Sequence, residues 1–174
     1  MYTKVPGESF SVLITDGESN YALYVLQCLS RIKNLKVYIL SNDPWARIRF
    51  SRDATQFISY ANKKGDEGIL TAILDAVKMT RVDVVLPVDS YTIRLLSSRG
   101  GAISQLTSIV PLPNINELDI AEDKWLLSGW LKENNIACPS TILYHTDHTF
   151  DEALSNFSFP VLIKPRKGSG RGWY

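Results

Sequence analysis

The chain has 174 residues, of which 45% are hydrophobic and 21% charged, and its formal net charge is +1. This composition is typical of a soluble globular protein with one domain, or one domain and part of a second. The small net charge gives no argument for a nucleic-acid or membrane partner, and the longest apolar runs are too short to cross a bilayer. No apolar signal segment is visible, and Cys28 and Cys138 lack metal or redox spacing, so we expect a cytoplasmic protein with reduced thiols.

Strand and helix patterns alternate through residues 1–113. Short apolar runs rich in β-branched residues predict strands, and apolar residues at helical spacing predict helices over Tyr21–Ile32, Asp66–Thr80 and Tyr91–Leu96. The alternation predicts an α/β fold with a doubly wound parallel sheet, in a Rossmann-like domain. The predicted strands are Phe10–Thr15, Lys36–Leu40, Gln56–Tyr60, Val82–Val88 and Ser108–Val110.

Polar residues follow two of the predicted strands. Asp16 and Ser19 come after the first strand, and Asp89 and Ser90 come after the fourth. Because ligands of doubly wound sheets bind beyond the carboxyl ends of the strands, these four residues are candidates for binding a substrate. Each also suits a turn or a helix N-cap, and this alternative stays open. The G-x-G-x-x-G fingerprint is missing from the first turn, which argues against NAD or FAD.

A second group of predicted elements covers residues 114–174. Glu122–Asn135 predicts one helix that begins with acidic residues and carries Lys124 in its first turn. A solvated lysine is the ordinary interpretation of Lys124 when it is considered alone. An extended segment is predicted at Thr141–Tyr144, and a short helix at Phe150–Phe157.

The stretch Phe159–Gly172 is the one most suggestive of chemistry. Its apolar start, Phe159–Ile163, predicts a buried strand, and Lys164 follows at once. Glycine then alternates with other residues over Gly168–Gly172, which we call the glycine loop; such spacing brings bare N–H groups close to a ligand. With the cations of Arg166, Lys167 and Arg171 added, the segment suits a polyphosphate. A basic surface loop is the alternative, and a Walker A motif is excluded because the lysine precedes the glycines.

Together these features resemble the ATP-grasp superfamily, in particular carbamoyl-phosphate-synthase-like carboxylate–amine ligases, over essentially the whole chain. Residues 1–113 are similar to the family's pre-ATP-grasp domain, and residues 114–174 to the start of its first α+β lobe. The features that carry the resemblance are Asp16-Gly17, Leu86–Asp89, the exit at Pro111–Pro113, Asp123-Lys124 at a helix start, Ile136–Pro139, and the strand with Lys164 and the glycine loop.

The resemblance implies an ATP-dependent ligase that activates a small carboxylate as an acyl phosphate, which an amine or similar nucleophile then attacks. Lys124 and Lys164 would contact the nucleotide, Lys164 at its phosphates, and the glycine loop would close over the β and γ phosphates. The oligomeric state is left open, a homo-oligomer included. The nucleotide-binding residues implied are Lys124, Lys164, Gly168, Ser169, Gly170, Arg171 and Gly172.

The sequence departs from the family by stopping at Trp173-Tyr174. The family's adenine hinge, second lobe, Mg-binding acidic residues and catalytic arginine lie further on, so no catalytic residue or metal ligand is assigned here. We expect a truncated ligase or split gene product, inactive alone, with mobile residues 167–174. The alternatives are a non-catalytic Rossmann-like module that binds a small ligand at Asp16 and Asp89, and a half-enzyme that needs a partner chain.

Overall fold

The structure, a computed structural model, describes residues 9–61, 65–144, 154–155 and 157–168. The chain divides into two compact units, Met1–Pro113 and Asn114–Tyr174. In the described part of the chain, no helix combines the length and the apolar character that crossing a membrane requires.

The first unit is built on a five-stranded sheet in the order β3-β2-β1-β4-β5, with every pair of neighbours parallel. The predicted α/β class and doubly wound parallel sheet are therefore confirmed. Its helices are α1 (Asn20–Leu29), α2 (Gly65–Thr80), α3 (Ser90–Arg99) and α4 (Gly101–Ser104). Its strands are β1 (Phe10–Ile14), β2 (Leu35–Ser41), β3 (Gln56–Ser59), β4 (Val84–Leu86) and β5 (Ser108–Ile109).

Hydrophobic cores cover both faces of this sheet. Leu13 and Leu40 pack with residues of α2 and α3 in one core, whereas Ile14 and Ile39 pack with residues of α1 in the other. Neighbouring residues of one strand enter different cores because successive side chains of a strand point to opposite faces. Burial on both faces explains why these strands are apolar runs without polar alternation.

The fourth strand is shorter than predicted, Val84–Leu86 instead of Val82–Val88. Pro87 has no N–H to donate to a neighbouring strand, and the N–H of Val88 donates to the Asp16 side chain at 2.7 Å. The sheet ladder therefore ends at Leu86. A short 3₁₀ helix at Arg47–Phe50 lies in the stretch that the sequence predicts to be irregular.

The second unit contains α5 (Ile115–Glu122) and α6 (Lys124–Glu133). The single helix predicted at Glu122–Asn135 is thus wrong at its start, and α5 is not among the predicted elements. The two helices are separate because Asp123 has an extended backbone, with φ −101° and ψ 106°. At the start of α5, Asn114 and Glu117 form a reciprocal capping box.

The predicted strand at Phe159–Ile163 is wrong: these residues form neither strand nor helix. Phe159 is 74% exposed and Leu162 77% exposed. The described residues of this unit offer no neighbouring strand to pair with the segment, so its apolar side chains are not buried in a sheet. The predicted helix at Phe150–Phe157 falls mainly outside the described residues, as does the predicted mobility of residues 167–174 apart from Lys167 and Gly168.

Candidate functional site

Asp16 lies just beyond β1 and is 3% exposed. Its Oδ2 accepts hydrogen bonds from the N–H groups of Val88 at 2.7 Å and Asp89 at 3.1 Å, and from the Thr15 hydroxyl at 2.8 Å. The Thr92 hydroxyl donates to Oδ1. Both carboxylate oxygens are therefore engaged inside the fold, where they join the end of β1 to the turn between β4 and α3.

The other three substrate candidates lie at helix starts. The Ser19 hydroxyl accepts a hydrogen bond from the Tyr21 N–H at 3.3 Å and caps α1. Asp89 Oδ1 accepts from the Tyr91 N–H at 3.1 Å and caps α3, whose exposed first residue is Ser90. Asp89 lies next to Asp16, because its backbone N–H donates to the Asp16 carboxylate. Ser19 and Asp89 are helix N-caps, the role that the sequence left open as an alternative to substrate binding.

Gly17 is a position that the sequence analysis did not single out as part of a site. A Cβ at this position would lie 2.6 Å from Ile39 Cγ2 and 2.9 Å from Ser41 Cβ. Its N–H donates to the Leu40 carbonyl at 2.9 Å. Only glycine therefore lets the chain leaving β1 pass so close to the end of β2.

An open cleft of about 370 Å³ lies beside Gly17, between the start of α1 and the segment that follows β2. We call it the α1 cleft. Of the predicted substrate residues, Ser19 lines it and Asp16, Asp89 and Ser90 do not. The side chains that matter for its chemistry are Glu18, Ser19, Leu23, Asp43, Trp45 and Arg47.

Negative charge gathers near the carboxyl ends of β1 and β2. Glu18 Oε2 accepts hydrogen bonds from the Ser41 hydroxyl at 2.8 Å and the Asn42 N–H at 3.2 Å. Burial raises the pKa of Tyr60, and the charges of Glu18 and Asp16 raise this pKa further. Tyr60 therefore stays neutral at physiological pH and acts as a hydrogen-bonding group rather than a base.

In the second unit, Lys124 is the first residue of α6. Its Nζ donates a hydrogen bond to the Gly168 carbonyl at 2.8 Å, and its backbone N–H donates to the Arg166 carbonyl at 3.0 Å. The structure thus brings together two residues that the sequence places 44 positions apart. Gly168 has φ +91°, a backbone conformation that glycine adopts without strain.

Asp123 also connects the start of α6 to the segment that contains Arg166. It is 1% exposed, and its Oδ1 accepts the N–H groups of Trp125 at 3.1 Å and Leu126 at 3.2 Å. Its Oδ2 lies 2.6 Å from Arg166 Nε. The hydrogen bond from Arg166 lowers the pKa of Asp123 below its ordinary value of 3.8, the two backbone N–H groups lower it further, and burial opposes them.

Further cations stand beside Arg166 in the sequence. Lys164 and Lys167 are exposed, and neither has an ion-pair partner within the ranges that the structure covers. Arg166 is the exception, since it pairs with Asp123. The remaining predicted nucleotide-binding residues, Ser169, Gly170, Arg171 and Gly172, lie outside the described residues. No group of three or more potential metal ligands occurs in the described part of the chain.

Comparison of the sequence with known proteins gave no match to a family model and no significant match to a curated protein. Comparison of the fold did give matches. An L-amino acid ligase from Bacillus licheniformis superposes with a TM-score of 0.59 at 13% identity, over 95% of this chain and 39% of that one. The biotin carboxylase domain of the Hydrogenobacter thermophilus 2-oxoglutarate carboxylase, crystallised with MgADP, ADP and bicarbonate, gives 0.59 at 14% identity, over 92% of this chain and 35% of that one.

A third structure, the biotin carboxylase domain of a single-chain bacterial carboxylase, gives a TM-score of 0.54 at 18% identity, over 84% of this chain and 33% of that one. The fold of this chain is similar to that of these three enzymes. The chain spans about two fifths or less of the length of each of these structures. At identities of 13 to 18% the likeness is one of fold and does not extend to the chemistry of these enzymes.

Proposed function

We propose that this chain is the N-terminal part of an ATP-grasp ligase that activates a small carboxylate as an acyl phosphate for attack by an amine or similar nucleophile. The observation that carries the proposal is the hydrogen bond from Lys124 Nζ to the Gly168 carbonyl, at 2.8 Å. It supports a common role for the helix lysine and the glycine loop, two of the features that carry the ATP-grasp resemblance.

The positive charges of residues 164–167 suit a polyphosphate. Lys164 and Lys167 are exposed cations without an acidic partner among the residues described, and Arg166 lies between them. Phosphoryl transfer depends on positioning and charge neutralisation more than on covalent help from the protein. We assign Lys124 and Lys164 to nucleotide binding, and the backbone N–H groups of the glycine loop to the β and γ phosphates.

ATP, when bound, would supply the phosphoryl group that activates the carboxylate. The protein residues named above would hold the phosphates and neutralise their charge. For Mg²⁺ the described residues do not fit, because no cluster of three potential ligands is found among them. We therefore assign no residue and no step to the metal, whose ligands we expect outside these residues.

The fold neighbours support the class of substrate. One is an L-amino acid ligase, and another was crystallised with MgADP and bicarbonate. Amino acids and bicarbonate both carry the carboxylate-type oxygen that an acyl phosphate requires. The second neighbour is a dimer, which makes a homo-oligomer our working expectation, and we place the protein in the cytoplasm.

The proposal is tested by NMR titration of the 174-residue chain with ATP. Exposed phosphate contacts are screened by salt, so we expect a dissociation constant of about 1 mM, or roughly −4 kcal/mol. Lys124→Ala and Lys164→Ala should each weaken binding, and the amide signal of Gly168 should shift. Lys78→Ala, an exposed lysine at the end of α2, serves as the control and should bind like the wild type.

Two results would contradict the assignment. Equal affinity in the wild type, Lys124→Ala and Lys164→Ala would remove both lysines from the nucleotide site. Micromolar affinity of the 174-residue chain would show that the site lies elsewhere. If the natural reading frame continues past Tyr174, the longer protein should bind Mg-ATP much more tightly; if it ends there, the half-enzyme and the binding-module alternatives gain.

A further inference from the structure

The α1 cleft lies in the first unit, and nothing in the nucleotide-site assignment uses it. Its volume of about 370 Å³ is within the range of small-molecule sites, about 300 to 1,000 Å³. It also lies beyond the carboxyl ends of neighbouring parallel strands, β1 and β2, on the side of the sheet where doubly wound folds bind ligands. The side chains that line the cleft determine which class of ligand it can bind.

The lining carries charges of both signs. Arg47 is exposed and forms no ion pair within the described part of the chain, so its guanidinium is available to an anion. Glu18 and Asp43 line the same cleft. Glu18 uses Oε2 for its two bonds to the end of β2, and Asp43 uses Oδ1 to accept the Trp45 N–H at 2.8 Å. Each carboxylate therefore keeps an oxygen that these bonds do not use.

The lining also has an apolar part. Trp45 is 73% exposed, and Leu23 of α1 lines the cleft beside it. Arg49 Cζ lies 5.4 Å from the centre of the Trp45 ring, a cation–π contact. A large exposed aromatic ring at the rim of a polar cleft offers a surface for an apolar or planar group.

We propose that the α1 cleft binds a small zwitterion, an α-amino acid with an aromatic or large aliphatic side chain. Arg47 pairs with the ligand carboxylate, Glu18 and Asp43 face its ammonium group, and Trp45 and Leu23 contact its side chain. A simple anion is disfavoured because two carboxylates repel it, and a simple amine is disfavoured because Arg47 repels it. The site belongs to the first unit and does not depend on the proposed nucleotide site.

The test is an NMR titration of the 174-residue chain at pH 7 with L-phenylalanine. Two matched compounds are titrated in parallel: phenethylamine, which lacks the carboxylate, and 3-phenylpropanoate, which lacks the ammonium group. We expect saturable shifts of amides in residues 17–23 and 43–48 with L-phenylalanine. Each matched compound should bind at least about tenfold more weakly, since it loses a charged hydrogen bond and leaves a cleft charge unpaired.

Variants locate the site. Arg47→Gln should weaken L-phenylalanine binding by about tenfold or more, and the fold should be unaffected because Arg47 is exposed and unpaired among the described residues. Arg52→Gln removes an exposed arginine nearby that does not line the cleft, and it should bind like the wild type. Lys164→Ala should also leave L-phenylalanine binding unchanged, which separates this proposal from the nucleotide site.

The proposal is overturned if L-phenylalanine gives no saturable shifts in these segments, or if either single-charge compound binds as tightly. It is also overturned if Arg47→Gln binds like Arg52→Gln. Loss of L-phenylalanine binding in Lys164→Ala would move the site to the second unit and would equally overturn it.

Discussion

Arg166 Nε lies 2.6 Å from Asp123 Oδ2, so the residue that caps α6 also fixes the approach to the glycine loop. The next residue, Lys124, donates two hydrogen bonds to the same segment, from its N–H to the Arg166 carbonyl and from its Nζ to the Gly168 carbonyl. Three polar contacts thus join two adjacent residues at the start of α6 to residues 166–168. Asp123 and Lys124 therefore hold this connection together.

The two roles of Asp123 can be separated by substitution. Asparagine is as good an N-cap as aspartate, so Asp123→Asn should keep the N–H groups of Trp125 and Leu126 protected while it removes the charge that pairs with Arg166. Asp123→Ala should lose both functions. Hydrogen exchange of these two amides measures the cap, and we expect fast exchange in the alanine variant and near-normal exchange in the asparagine variant. Fast exchange in both variants would show that the cap depends on the ion pair.

The ion pair should make stability depend on acid pH. The pKa of Asp123 is lowered in the folded protein by the Arg166 hydrogen bond, below its ordinary 3.8. A lowered folded-state pKa gives stability that is present above the unfolded value and is lost as pH falls through the folded value. Thermal unfolding of the wild type and Asp123→Asn, from pH 3 to 7, should show a wild-type advantage that is constant above about pH 5 and shrinks below it. An advantage that grows on acidification would contradict the assignment.

The sheet could be predicted from the sequence because its signal is local. Strands such as β2 are covered on both faces, and burial of consecutive residues leaves an apolar run that can be recognised without the neighbouring strands. The ends of the strands are less predictable. Leu86 ends β4 because Val88 bonds to Asp16, a residue 72 positions earlier, and no local pattern reports such a contact.

The second unit shows where local patterns fail. The apolar run Phe159–Ile163 has the composition of a strand, but a strand also requires a partner for its backbone groups, and five residues of sequence do not show whether one exists. The missed helix α5 did leave a signal. Asn114 and Glu117 stand three residues apart before Leu118, the spacing of a capping box.

The candidate site residues also differ in how well the sequence predicts them. Lys124 and Gly168 are recognisable from their sequence context, whereas the pairing of Asp123 with Arg166 joins residues 43 positions apart and has no local signature. The lining of the α1 cleft is similar, because Glu18 and Arg47 come from different loops. The sequence indicates Arg47 only as one of several loop arginines.

Asp16 should prove to be a structural residue. Asp16→Ala leaves two backbone N–H groups and two hydroxyls without their shared acceptor at a site that is 3% exposed. Since unsatisfied buried donors are costly, we expect a loss of about 3 kcal/mol in the free energy of unfolding. Thr92→Val removes one of these bonds and should cost about 1 kcal/mol.

Urea denaturation measures both losses, with Asp53→Ala as the control. Asp53 is exposed, so its substitution should change the free energy of unfolding by no more than about 0.5 kcal/mol. A fully stable Asp16→Ala protein would return Asp16 to the list of ligand-binding candidates.

Substitution of two glycines by alanine should change the free energy of unfolding in opposite directions. At Gly17 the new methyl group would lie 2.6 Å from Ile39 Cγ2 and 2.9 Å from Ser41 Cβ. Overpacking of this kind costs about 1–3 kcal/mol, and we expect Gly17→Ala to destabilise the first unit by that amount. Gly129 lies inside α6, and a Cβ there would meet no atom within 4 Å.

Gly129→Ala should therefore stabilise α6 by about 0.5–1 kcal/mol, because alanine loses less backbone entropy than glycine when a helix forms. Denaturant unfolding of the two variants against the wild type measures both effects. Both substitutions add one methyl group, and the two sites differ in the space around that group and in the backbone structure that carries it. Equal effects of the same sign would show that the end of β2 yields to the methyl group, and that Gly17 is not required for the passage of the chain from β1 into α1.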